Sequence, residues 1–126
     1  MRRELAAGGD FTGRDLSRLR LTGIDLRHKT LRRANLEFTD LGEADLRWTD
    51  LREANLRGAF LTGARLGEAD LRGANLRDAY ALAADFAGSR LDDADLMGVV
   101  YDQATTWPGS TRPPRDDIGM WHGRRS

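Results

Sequence analysis

The chain has 126 residues, with twenty Lys and Arg balanced by twenty Asp and Glu, and no cysteine. Zero net charge excludes a whole-molecule field that would draw it to nucleic acid or an anionic membrane. The lack of thiols excludes a disulfide framework, a thiol nucleophile and a thiolate zinc site. No apolar run is long enough to cross a membrane and no signal-like stretch follows Met1-Arg2-Arg3-Glu4, so the chain is read as one soluble, cytoplasmic domain without a cofactor.

Residues 1–8 are too short for a domain and are read as a frayed tail or a small cap. From Phe11 onward nearly every fifth residue is a large apolar one: Leu16, Leu21, Leu26 and so on to Leu76, then Phe86, Leu91 and Leu96. A helix would spiral these residues around its axis and a flat strand would alternate them between two faces, so neither element buries them together. The chain must turn every five residues. Two positions before most of these leucines stands a small residue, such as Ala34, Ala44, Ala54 or Ala69, which shares the leucine's face on a short extended segment. Such a repeat cannot bury its own leucine, so successive repeats must wind and stack into a solenoid.

The three asparagines, Asn35, Asn55 and Asn75, each precede a central leucine and lie twenty residues apart. Four repeats per coil stack them, and amides at the ~4.8 Å strand spacing would hydrogen-bond to one another along the ladder. With stretches such as Ala34-Asn35-Leu36, Ala44-Asp45-Leu46, Ala54-Asn55-Leu56 and Ala69-Asp70-Leu71, residues 9–106 resemble the pentapeptide-repeat family. The resemblance implies an all-β fold, a right-handed quadrilateral β-helix with central and small residues inside. At four repeats per coil it would have about five coils.

One defect interrupts the pattern. Ala81 occupies a central position, and the gap is filled either by Tyr101, one coil later in the same column, or by a bulge that turns Leu82 inward. Beyond Thr106 the sequence Trp107-Pro108-Gly109 ends the coil. Residues 107–126 are then read as a linker and a short C-terminal cap, with Ile118, Met120 and Trp121 docked on the last coil.

Residues twenty apart share a column, so the surface divides into four walls. The first carries Arg32, Arg33, Arg52 and Arg72 among Asp50, Glu53 and Asp70, and is read as a solvated ion-pair ladder. The second carries the asparagines and is read as scaffold. The third replaces charge with Phe60, Tyr80, Leu82 and Val100, which suit a dimer interface or a seat for the tail, with Trp121 as a further contact. The fourth gathers Arg27, His28, Arg47, Trp48 and Glu68. This is the minimum for gripping a planar anionic small molecule or for acid–base work, although a flat wall offers no cleft.

Three function classes follow. The first is a non-catalytic scaffold that binds a protein partner, or a second copy of itself, through a flat wall. It is favoured because every motif is structural and no catalytic or metal-ligating constellation is present. The second comes from the resemblance, which implies relatives that imitate DNA and occupy DNA gyrase in quinolone or topoisomerase-poison resistance. Such imitation needs a strongly negative surface. The third is small-molecule binding or catalysis on the fourth wall.

Overall fold

The computed structural model describes residues 1–109 and Thr111. A short helix, α1 (Arg2–Ala7), opens the chain. From Asp10 the backbone winds into coils joined by parallel bridges of one residue each, and the partners lie twenty residues apart from Asp10–Thr30 through to Tyr80–Val100. The bridges form four columns, one per wall. Asn35, Asn55 and Asn75 fall in a single column, as their spacing requires.

The ladder runs in both directions along the axis. The central residue's N–H donates toward the next coil, as from Leu31 to the Asp50 carbonyl at 2.7 Å. The preceding residue's N–H donates back, as from Asn55 to the Ala34 carbonyl at 2.9 Å. Between bridges the chain rounds each corner through a tight turn closed by bonds such as Ala34 N–H to the Leu31 carbonyl, 3.0 Å. The second residue after each central position takes the left-handed conformation. Seven glycines and eleven other residues, among them His28, Phe38 and Trp48, hold φ between +55° and +73° there. Each non-glycine costs about 1 kcal/mol or more in that region, so the wall ladders and the core hold considerable local strain.

The preference for Asp or Asn before each leucine has a local cause. Their side-chain oxygens accept the backbone N–H two residues on, as in Glu37 to Asn35 at 3.1 Å, Arg57 to Asn55 at 3.1 Å and Gly42 to Asp40 at 3.0 Å. This turn-forming bond replaces the expected amide ladder. Among the described residues no asparagine amide bonds to another, because each oxygen is aimed along its own turn.

Inside, the central leucines and the alanines two positions before them are buried, joined by Phe11 and Phe86, with Leu91 and Ala94 of the last coil only partly buried. Where a threonine stands in an alanine position its hydroxyl finds a backbone acceptor, Leu16 O for Thr39 and Leu46 O for Thr49, both at 2.7 Å. The first coil departs from the small-residue rule with Arg14, Leu19, Ile24 and Lys29, since no coil lies beneath it. Helix α1 lies there instead, with Leu5 fully buried. Lys29 Nζ donates to the carbonyls of Ala6 at 3.1 Å and Gly8 at 2.6 Å, satisfying orphan groups at the helix end.

At the other end the register gains one residue, because Asp85 bridges Thr106 rather than residue 105. Trp107 thereby enters the column of Phe86 and stacks on it at 4.9 Å, with Tyr101 edge-on at 5.7 Å. At Ala81 the register is unbroken. Ala81 donates to the Val100 carbonyl at 2.7 Å and Ala84 closes the usual turn at 3.1 Å. Leu82 stays on the wall, half-buried, so the bulge alternative is excluded; the column continues above Ala81 with the half-buried Tyr101. The expected cap residues Ile118, Met120 and Trp121 lie outside the described residues, as does His122.

Candidate functional site

On the fourth wall the residues singled out from sequence do assemble. His28 and Trp48 occupy the same corner one coil apart, and their left-handed backbone throws both rings outward, where they stack in parallel at 5.0 Å. The Arg47 guanidinium lies 5.3 Å from the Trp48 ring centre. The arginines of this wall are already engaged, Arg65 reaching Asp45 at 3.9 Å. Arg27 grips Asp25 through two bonds of 2.9 Å, and Arg47 grips Asp45 at 2.9 and 2.7 Å. The arginine hydrogen bonds hold Asp25 and Asp45 well below the ordinary carboxylate range. Glu68 leans away along the corner and lies over Gly88. A ligand here would have to displace an aspartate from each arginine. Among the described residues no group of three or more His, Asp or Glu is placed to hold a metal ion.

The first wall repeats that pairing without the aromatics. Asp50 with Arg52 and Asp70 with Arg72 form two-bonded pairs, and Arg52 reaches up to Asp70 at 3.8 Å. Arg32 has Thr30 where its neighbours have aspartate, so it shares Glu53 with Arg33. On the second wall Arg57 and Arg77 reach Glu37 and Asp95 at 3.9 and 3.1 Å.

The third wall differs in kind. Its bridge column reads Arg20, Asp40, Phe60, Tyr80, Val100 from base to top. Phe60 and Tyr80 stack in parallel at 5.1 Å and each remains 42% exposed. Leu82 and Val100 lie half-buried beside and above them. Near the base, Gly42 puts no side chain at the repeat position that carries Arg47, Arg52 and Arg72 on other walls.

Two features escaped the sequence reading. Along the corners a large or acidic side chain leans over a glycine twenty residues later: Phe38 over Gly58, Glu43 over Gly63, Glu68 over Gly88, Asp78 over Gly98. A glycine scan at that spacing would have found them. Charge is also segregated along the axis. Residues 1–33 hold nine Lys or Arg against four acids, whereas residues 67–109 hold three against eight. Among the described residues the winding turns this sequence gradient into a positive base and a negative top.

With this geometry in place, the comparisons agree. The family profile of pentapeptide repeats matches residues 31–67 and 64–100, with eight copies. The chain belongs to the pentapeptide repeat family, whose fold is the right-handed quadrilateral β-helix. Among solved structures it is similar to alr5209, a pentapeptide repeat protein from Nostoc PCC 7120, at 33% identity and a TM-score of 0.65, covering 87% of this chain and 84% of that one. It is also similar to HetL of Nostoc sp. PCC 7120, involved in heterocyst differentiation regulation, at 32% identity and a TM-score of 0.42, covering 75% of this chain and 52% of HetL. QnrB1, a plasmid-mediated fluoroquinolone resistance protein, matches at 14% identity and a TM-score of 0.28, covering 79% of this chain and 77% of its own. No curated protein matches the chain.

Proposed function

We propose that this protein is a non-catalytic interaction module, a rod of about five coils that binds a protein partner through its third wall. The observation that carries the reading is the exposed Phe60–Tyr80 stack, each ring 42% exposed on a flat wall whose outward positions are mostly uncharged. An aromatic strip on an otherwise polar surface marks a contact site, and fully covering one such side chain contributes about 1.5–3 kcal/mol. The fourth wall supports a binding role less well, since its arginines are held by their own aspartates. DNA imitation is not favoured either. Its acidic residues alternate with arginines on the first wall and gather toward one end, without forming a continuous negative face.

The reading is tested by placing a photo-reactive residue at position 60 and, as a control, at position 57 on the second wall, in cells of the source organism. A protein adduct at 60 that is absent at 57 and lost on Tyr80→Glu is expected. Equal labelling at both positions would overturn the third wall as the contact.

A further inference from the structure

The third wall is complementary to itself when reversed. We propose that its partner is a second copy of this chain, packed wall to wall and antiparallel about a two-fold axis that lies in the contact plane and crosses the wall at Phe60. This rests on the third wall being the contact surface. The column has five levels, Arg20, Asp40, Phe60, Tyr80 and Val100. Under that axis the first level faces the fifth, the second faces the fourth, and Phe60 meets Phe60 of the second copy.

Each resulting pair is matched in chemistry. Tyr80 faces Asp40 of the second copy, whose Oδ1 accepts the Gly42 N–H at 3.0 Å and whose other oxygen has no partner among the described residues. The phenol would donate to that oxygen. Leu82 faces Gly42, so the bulkiest residue in that column is set against the one that carries no side chain. Arg20, exposed and in no ion pair among the described residues, faces the level of Val100 and Asp102, and Asp102 is exposed on the top of the wall. Thr62 meets Thr62. The axial segregation of charge acts in the same sense: antiparallel copies place each positive base beside the other's negative top. A parallel pairing would instead oppose Arg20 to Arg20 and Asp40 to Asp40, like charge against like. The wall is only ~20 Å tall over five levels, so the interface belongs with those below about 1,200 Å², which form weak, concentration-dependent complexes.

The chain's lack of cysteine makes the axis directly testable. Phe60→Cys should oxidise to a disulfide-linked dimer at least tenfold faster than Arg57→Cys, which lies on the second wall. A mixture of Asp40→Cys and Tyr80→Cys should give the cross-linked heterodimer in preference to either homodimer; a parallel arrangement would reverse that preference. Sedimentation of the unmodified protein should show a monomer–dimer equilibrium in the micromolar range, abolished by Gly42→Arg. That substitution is expected to keep the fold, because arginine already occupies the same repeat position in Arg47, Arg52 and Arg72, Gly42 has ordinary backbone angles, and the added Cβ would press closely only on the Asp40 carboxylate, at 3.2 Å. A protein that stays monomeric, with Phe60→Cys no faster than Arg57→Cys, would overturn the second copy. If position 60 still yields an adduct in cells, the wall remains a contact for another protein. A dimer that survives Gly42→Arg would overturn this arrangement.

Discussion

The first and third walls are built on the same backbone, at the same repeat positions and in the same twenty-residue register, yet they present opposite surfaces. On the first wall Asp50, Arg52, Asp70 and Arg72 satisfy one another. On the third, Phe60 and Tyr80 satisfy only each other and leave their outer edges to solvent. Central leucines and alanines specify the coil, and the outward positions are free of that task. A wall closed on itself is scaffold, and a wall left unsatisfied is where a partner is to be sought.

The comparison first implies that the walls share one core. Leu51→Ala beneath the first wall and Leu61→Ala beneath the third should each lower stability by about 2–5 kcal/mol in denaturant melts. Leu61→Ala should cost more, because Ala81 already leaves its column short of side-chain volume one coil above. Equal losses would mean that neighbouring groups, Tyr101 among them, compensate fully.

A smaller effect separates the walls by pH. Arginine hydrogen bonds hold Asp50 and Asp70 below the ordinary carboxylate range in the folded state. Their contribution is therefore complete above the unfolded value near about 4 and is lost as pH falls through the lower folded values. Asp50→Asn with Asp70→Asn should flatten the acid limb of a melting-temperature profile, at a cost at neutral pH of less than about 1 kcal/mol for pairs this exposed. An acid limb unchanged by the double substitution would make the first wall as silent as the second.

The smallest effect concerns gyrase. With acids and arginines interleaved on the first wall and aromatics on the third, no wall imitates a phosphate backbone, and DNA supercoiling by purified gyrase should be unchanged at micromolar protein. Inhibition that disappears on neutralising Asp45 and Asp50 would show that a local run of acids suffices.

Much of this fold is legible in the sequence because one short period governs it. The asparagine spacing alone fixed the column order, since a side chain in a ladder has no choice of neighbour once the coil length is set. The amide bonds were misjudged for a local reason: an acceptor two residues from a free N–H closes its own turn before it meets a neighbour at ladder distance. Helix α1 was not legible, because six residues carry too little periodicity to distinguish a helix from a tail. The aromatic strip on the third wall could be read from Phe60 and Tyr80. The bearing of Gly42 beside it could not, since a glycine at an outward position is unremarkable until its level is opposed to that of Leu82.

The axial gradient of charge has a consequence in bulk behaviour. A molecule with no net charge is ordinarily passed over by ion-exchange media, but a rod positive at its base and negative at its top offers each medium one end. At low ionic strength the monomer should be retarded on both cation and anion exchangers, standing end-on and in opposite senses. Antiparallel pairing brings unlike ends side by side, so the dimer loses its dipole and should elute earlier from both.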